Sequence, residues 1–123
     1  MFSINIKSKE TIYEQLYNNI ISLVALGVLK KEDKLPTVRA MASELGVNPN
    51  TVSKAYQLLE RDSIIYTVSG RGAFISEDCD INQNYKKPVL KDIETTVIKG
   101  KAYGVEYKEI IEIIDKIYKL KGR

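Results

Sequence analysis

Apolar positions recur every three or four residues along most of the chain, in runs divided by short polar breaks. In the first run Ile12, Leu16, Ile20 and Leu23 with Val24 share one side, and Glu14, Gln15, Asn18 and Asn19 lie between them. This spacing predicts an amphipathic helix over residues 10–26, stopped by Gly27. The polar stretch "KKEDK" then leads to Leu35 and Pro36. Thr37 is a good helix cap, and Pro36 keeps the chain extended before it. The following "VRAMASEL" puts Val38, Met41, Ala42 and Leu45 on one side and ends at Gly46, which suits a tight left-handed turn. Asn48 caps a further helix, Pro49 takes its first position, and Val52, Ala55, Tyr56 and Leu59 form its inward face as far as about residue 62.

Residues 37–62 therefore read as helix, short turn, helix. Two β-rich runs follow, 64–68 and 73–76, joined by "SGRG" with Arg71 at the tip. A hairpin directly after a helix-turn-helix is a wing. The stretch "EDCDINQNYKKP" is polar and reads as a linker. Two more helices are predicted, over 89–99 (Leu90, Ile93, Val97) and 106–120. In the last, Tyr107, Ile110, Ile111, Ile114, Ile117 and Tyr118 share a broad face that Ile113 widens. The expected fold class is α+β: a winged helix-turn-helix DNA-binding domain over residues 1–76, a linker over 77–87, and a short two-helix dimerisation tail over 88–123.

Composition narrows the chemistry. Histidine is absent and Cys79 is the only cysteine, so no intrachain disulfide can form, which fits a reducing compartment. A thiol without histidine lacks its usual activating base, and a metal site would have to use carboxylates and one sulfur. Asp78 and Asp80 fall in the polar linker and read as solvated acids. No catalytic residue, metal or cofactor is expected, and the chain does not read as an enzyme. The most apolar stretch, "IISLVALGVL" at 20–29, is too short to cross a bilayer, and "MFSINIKSKE" lacks the apolar core of a secretion signal. A cytoplasmic location without membrane contact is expected. Net charge is +3: residues 1–76 hold nine Lys and Arg against seven Asp and Glu, and residues 77–123 hold ten against nine. A nucleic-acid partner would thus be held by a few placed cations and by dimerisation, not by a general positive field.

Those placed groups lie on the second helix of the helix-turn-helix. With its apolar flank turned inward, Asn50, Ser53, Lys54 and Gln57 point outward, and Asn48 and Thr51 crowd its start. Asn and Gln suit adenine edges, Ser and Thr suit bases or phosphates, and Lys54 suits guanine or phosphate. The helix start itself suits a phosphate. Arg39, in the preceding helix, is placed to clamp the DNA backbone; the bland reading is a surface pair with Glu44. Arg71 suits the minor groove or a phosphate, or else is a solvated turn. Tyr13, Tyr17, Tyr56 and Tyr66 read as packing residues, not as stacking platforms for single strands. A competing reading is a winged-helix module that binds only protein; it would be indifferent to Arg39→Ala, Lys54→Ala and Arg71→Ala.

Residues 11–76 resemble the DNA-binding domain of the GntR-type bacterial transcription regulators, through "KLPTVRAMASELGV", "NPNTVSKAYQLLE" and "GRGAFI". The tail, with "YGVEYKEIIEII", resembles the YtrA-type subgroup, which carries only two helices after that domain. The resemblance implies a homodimeric repressor on a palindromic double-stranded operator, often beside genes for ABC transporters and often controlling its own gene. It places DNA contacts at Thr37, Arg39, Asn48, Asn50, Thr51, Ser53 and the wing residues Ser69, Gly70, Arg71 and Gly72. The chain departs from the family pattern at Glu32 and Ser63, where glycine is frequent, and at Ala73, where threonine is. It has no large effector domain, so the resemblance assigns no small-molecule effector. Residues 88–120 are too few to hold a core alone, so the isoleucine face must either fold back on the first domain or meet a second copy. A four-helix contact between two tails is expected, through Leu90, Ile93, Val97, Tyr107, Ile110, Ile111, Ile113, Ile114 and Ile117.

Overall fold

A computed structural model describes residues 1–120 of the chain; residues 121–123, the end of the expected tail, lie outside the described residues. Two units are present, Met1–Asn82 and Gln83–Arg123. The first holds three helices, α1 (Ile12–Ala25), α2 (Val38–Leu45) and α3 (Pro49–Arg61), then the antiparallel strands β1 (Ile65–Val68) and β2 (Gly72–Ile75). Thr11 caps α1 and Thr37 caps α2, each through its hydroxyl oxygen. Gly46 ends α2 with φ 69° and ψ 36°, a left-handed conformation that costs glycine little.

The core of this unit comes from every element. Leu16 and Ile20 enter from α1, Met41 and Ala42 from α2, Val52, Ala55, Tyr56 and Leu59 from α3, and Ile65, Ala73 and Ile75 from the wing. α3 is the hub, packing on α1, α2 and β1. Small Ala42 and Ala55 are both buried, consistent with a close approach of α2 to α3. Tyr56 spans the gap, its hydroxyl donating to the Pro36 carbonyl at 2.6 Å. Burial first, and then the Glu44 carboxylate, raise the pKa of this phenol, so it stays protonated and keeps donating. Near the other end of α3, the Tyr17 hydroxyl donates to Asp62 at 2.6 Å. Arg61 and then Tyr17, bonded to the Asp62 carboxylate, hold it below the usual carboxylate range.

Three features differ from the expectation. The polar connection between α1 and α2 is not a free loop: the amides of Glu32 and Leu35 donate to the Ile75 and Ala73 carbonyls, and the Ile75 amide donates to Asp33, each within 2.9 Å. Residues 32–35 thereby line the second edge of β2, with Lys34 bridged to Phe74. Their sequence gives no β-pattern because only Leu35 turns fully inward. The expected linker over 77–87 is helical from Asn82: Asn82–Lys86 forms a π-helix that runs directly into α4 (Lys87–Ala102). Polarity there reflects an exposed helix, not an extended chain. α4 accordingly begins two residues before the predicted 89 and ends three after the predicted 99.

The second unit is α4 and α5 (Tyr107–Tyr118), joined by a tight turn in which the Val105 amide donates to Gly100 at 2.8 Å. The Glu109 carboxylate receives the Glu106 amide at 3.0 Å and so closes the start of α5. No helix among the described residues is long and apolar enough to cross a membrane.

Glu32 and Ser63 hold positive φ values of 72° and 60°. These are the two positions at which the resemblance implies glycine, and a side chain in this region costs about 1 kcal/mol. Ser63 is exposed and no side-chain bond among the described residues holds it there, whereas the Glu32 carboxylate accepts the Tyr66 hydroxyl. Ser63→Gly is therefore expected to stabilise the protein by about 0.5 kcal/mol. A thermal melt should show a midpoint higher by about 2–4 °C.

Candidate nucleic-acid interface

The outward flank of α3 is built by what lies beneath it. Because Val52, Ala55 and Leu59 are sealed at 0% exposure, the helix cannot rotate, and Asn50, Ser53 and Gln57 are fixed on its outer side. Asn50 and Gln57 are exposed, while Ser53 and Thr51 are half-buried. None of the four uses its side chain for a bond among the described residues. Short polar groups on a fixed helix can approach base edges closely in a major groove.

Two expected contacts look different in three dimensions. Asn48 is exposed, but its Oδ1 accepts the Asn50 amide at 2.8 Å, so it acts as the cap of α3. The Thr51 and Val52 amides go to the Asn48 carbonyl, and Pro49 has no N–H. The start of α3 thus has its amides engaged, which leaves its side chains as the groups available for contact. Lys54 is exposed, yet its ammonium lies 3.9 Å from the centre of the Tyr13 ring on α1. The cation is held against the first helix and does not project freely from α3.

The start of α2 is better suited to a phosphate. Thr37 spends its hydroxyl on the Ala40 amide at 3.1 Å, and its carbonyl receives Met41. The amides of Val38 and Arg39 have no partner among the described residues. Arg39 is exposed there and makes no pair with Glu44. Free amides beside a guanidinium form a suitable cradle for one phosphate. A shallow groove separates Pro36 and Thr37 from the wing residues Val68, Ser69 and Gly72.

The wing tip is a tight turn in which the Arg71 amide donates to Val68 at 2.9 Å and Gly70 takes a φ of 78°. Ser69, Gly70 and Arg71 are exposed, and Gly72 is half-buried with a φ of 110°. Behind the tip Tyr66 stacks on Phe74 with centroids 5.5 Å apart, and its hydroxyl donates to Glu32. That bond to a carboxylate raises the phenol's pKa and anchors the hairpin to the connection before α2. Lys34 also reaches this edge of the sheet, opposite Phe74. Sequence reasoning passed it over because the only mark it carries locally is membership of a mixed-charge run.

In the second unit Leu90, Ile93, Val97, Tyr107, Ile113, Ile114 and Ile117 are all exposed, and Ile110 and Ile111 are half-buried. The apolar face expected from the sequence is present and uncovered in a single chain. No group of acids and cysteine that could hold a metal occurs among the described residues.

A helix-turn-helix with a two-stranded wing, an uncharged polar flank on its second helix and an exposed arginine at the start of its first helix defines a winged-helix DNA-binding protein. Residues 11–75 match the family described as bacterial regulatory proteins, gntR family, and the chain belongs to it. It is 38% identical to the HTH-type transcriptional repressor YtrA of Bacillus subtilis over 95% of this chain and 92% of that one. A solved transcriptional antiterminator of Listeria monocytogenes is 40% identical, with a TM-score of 0.71 over 99% of this chain and 94% of that one. The DNA-binding domain of AraR in complex with operator ORE1 is 26% identical, with a TM-score of 0.53 over 59% of this chain and 89% of that one. The chain is a GntR-family transcriptional regulator with a DNA-binding domain, and its relatives are regulators, not enzymes.

If Asn48 is chiefly a cap, Asn48→Ala should lower folding stability by about 1 kcal/mol, as helix-cap losses do. Asn48→Asp should restore most of it. Chemical denaturation of the two variants checks this.

Proposed function

We propose that this chain is a homodimeric repressor that binds a palindromic operator, with α3 in the major groove, α2 against the backbone and the wing at the flanking minor groove. The observation that carries the reading is the division of α3 into a sealed apolar flank and an unpartnered flank of Asn50, Ser53 and Gln57. The likeness to the repressor YtrA across nearly the whole chain supports repression as the output. The family resemblance supports an operator that precedes an ABC-transporter operon and the regulator's own gene.

Dimerisation is supported by the uncovered stripe of α4 and α5. A second copy of the same stripe is its natural cover, since a two-fold contact is self-complementary. The pairing would present two recognition helices to half-sites about 34 Å apart, one turn of duplex. It would also supply by linkage the affinity that a net charge of only +3 does not.

Selection of genomic fragments by the purified protein should return a palindrome. On that site Asn50→Ala should cost about 1–3 kcal/mol and relax preference at one base pair of each half-site. Arg39→Ala should weaken all duplexes alike and reduce the slope of log affinity against log salt by about 1. Equal retention of operator and random duplex at moderate salt would sink the reading.

The dimer has a separate check in the full chain. Ile114→Glu with Ile117→Glu places four acids on the paired face and should give a monomer by sedimentation. The monomer should bind an isolated half-site about as before and the full operator about a hundredfold more weakly. A dimer that survives both substitutions would exclude the tail as the contact.

A further inference from the structure

The edge of the wing carries a cation that the contacts above leave unused. Lys34 lies in the connection 32–35 beside β2 and bridges to Phe74. The flanking bonds, Leu35 amide to Ala73 carbonyl at 2.8 Å and Ile75 amide to Asp33 carbonyl at 2.9 Å, fix its register. Side chains alternate across a sheet, so this register sets Lys34, Phe74 and Gly72 on one face. A Cβ built at Gly72 would lie 3.2 Å from the Lys34 Cε. The Lys34 stem therefore runs across Gly72, and its ammonium, one bond past Cε, lies beside the residue that follows Arg71.

Both cations are exposed, and neither has an ion pair among the described residues. Glu32 is the nearest acid in sequence on that face, and its carboxylate accepts the Tyr66 hydroxyl instead. Two unpaired cations on adjoining parts of one wing can each be neutralised by an anion that comes to that edge. Duplex DNA supplies such anions at regular spacing along its backbone.

We propose that Lys34 is a second phosphate-binding residue of the wing, held in place by the bare backbone of Gly72 so that its ammonium and the Arg71 guanidinium grip the DNA backbone together. This rests on the DNA-binding reading above. Gly72 then has two tasks, to hold a φ of 110° and to leave room for the Lys34 stem.

The test is a salt titration of operator binding by the full chain. Lys34→Gln should weaken binding about fivefold at 0.15 M salt and make the slope of log affinity against log salt shallower by about 0.9, the value for one phosphate contact. Lys31→Gln, a change at a cation outside the sheet register, should leave the slope unchanged. Gly72→Ala should weaken binding in the parent and have a smaller effect in the Lys34→Gln background; where it disorders the wing, the Lys34→Gln slope decides alone. An unchanged slope for Lys34→Gln, or an equal loss for Lys31→Gln, overturns the proposal while the parent still prefers operator over random duplex. A parent without that preference overturns the DNA-binding reading along with it.

Discussion

The burial of one flank of α3 is the constraint on which the rest of the first unit depends. Val52, Ala55, Tyr56 and Leu59 lie against α1, α2 and β1, and removing any large one of these would open a cavity at the centre of the unit. Polar tethers then fix the helix along its length. Asn48 caps its start, Lys54 lies over Tyr13, Tyr56 holds Pro36, and Asp62 receives Tyr17. A helix held this firmly loses little conformational entropy when it meets a partner, so more of the contact energy appears as affinity and selectivity. The same rigidity explains why its outer flank can use short side chains: the backbone itself is already in position.

The economy of charge follows from that arrangement. With nine cations against seven acids in residues 1–76, non-specific attraction to DNA is weak. What matters is which cations remain available. Arg61 is paired with Asp62, and Lys54 is held on an aromatic ring. The other seven have no ion pair among the described residues, and three of them lie on the motif and its wing: Arg39 beside open amides, Arg71 at the wing tip and Lys34 at the sheet edge. Their distribution, one on the first helix of the motif and two at the wing, brackets the uncharged flank of α3. In the proposed complex, cations at the margins would set register on the backbone and leave the neutral polar groups between them to discriminate bases.

How much of this was legible in the sequence depends on whether each feature is local. The three helices of the first unit came from apolar spacing, and their ends from Thr37, Gly46, Asn48 and Pro49, because caps and left-handed turns are properties of a few adjacent residues. The hairpin was legible from "SGRG" for the same reason. The pairing of residues 32–35 with β2 was not, because it joins segments far apart in sequence and only Leu35 carries an apolar mark. Lys34 was missed with it. Lys54 was read as projecting outward, since helical spacing says which side a residue faces but not that Tyr13 waits on a neighbouring helix. The start of α3 was read as open to phosphate; its amides are engaged by Asn48, and the open amides belong to α2. The π-helix at Asn82–Lys86 has no compositional signature that separates it from a polar linker.

The tail raises a different kind of question, since its pattern was easy to read and its meaning lies outside a single chain. α4 and α5 expose Val89, Leu90, Ile93, Ile98, Tyr107, Ile113, Ile117 and Tyr118, each more than half uncovered. Two short helices joined by a tight turn bury too little surface to account for so many large apolar side chains. Isolated apolar residues on a surface need no explanation, but a continuous stripe along a helix pair costs solubility unless it is covered. A stripe that covers its own copy needs no second gene product and gives a two-fold axis, and a palindrome is the DNA counterpart of that axis. In the proposed dimer the modest charge of the first unit and the apolar excess of the second would be two sides of one solution: each binding domain alone would grip weakly, and the tail would make the second grip intramolecular.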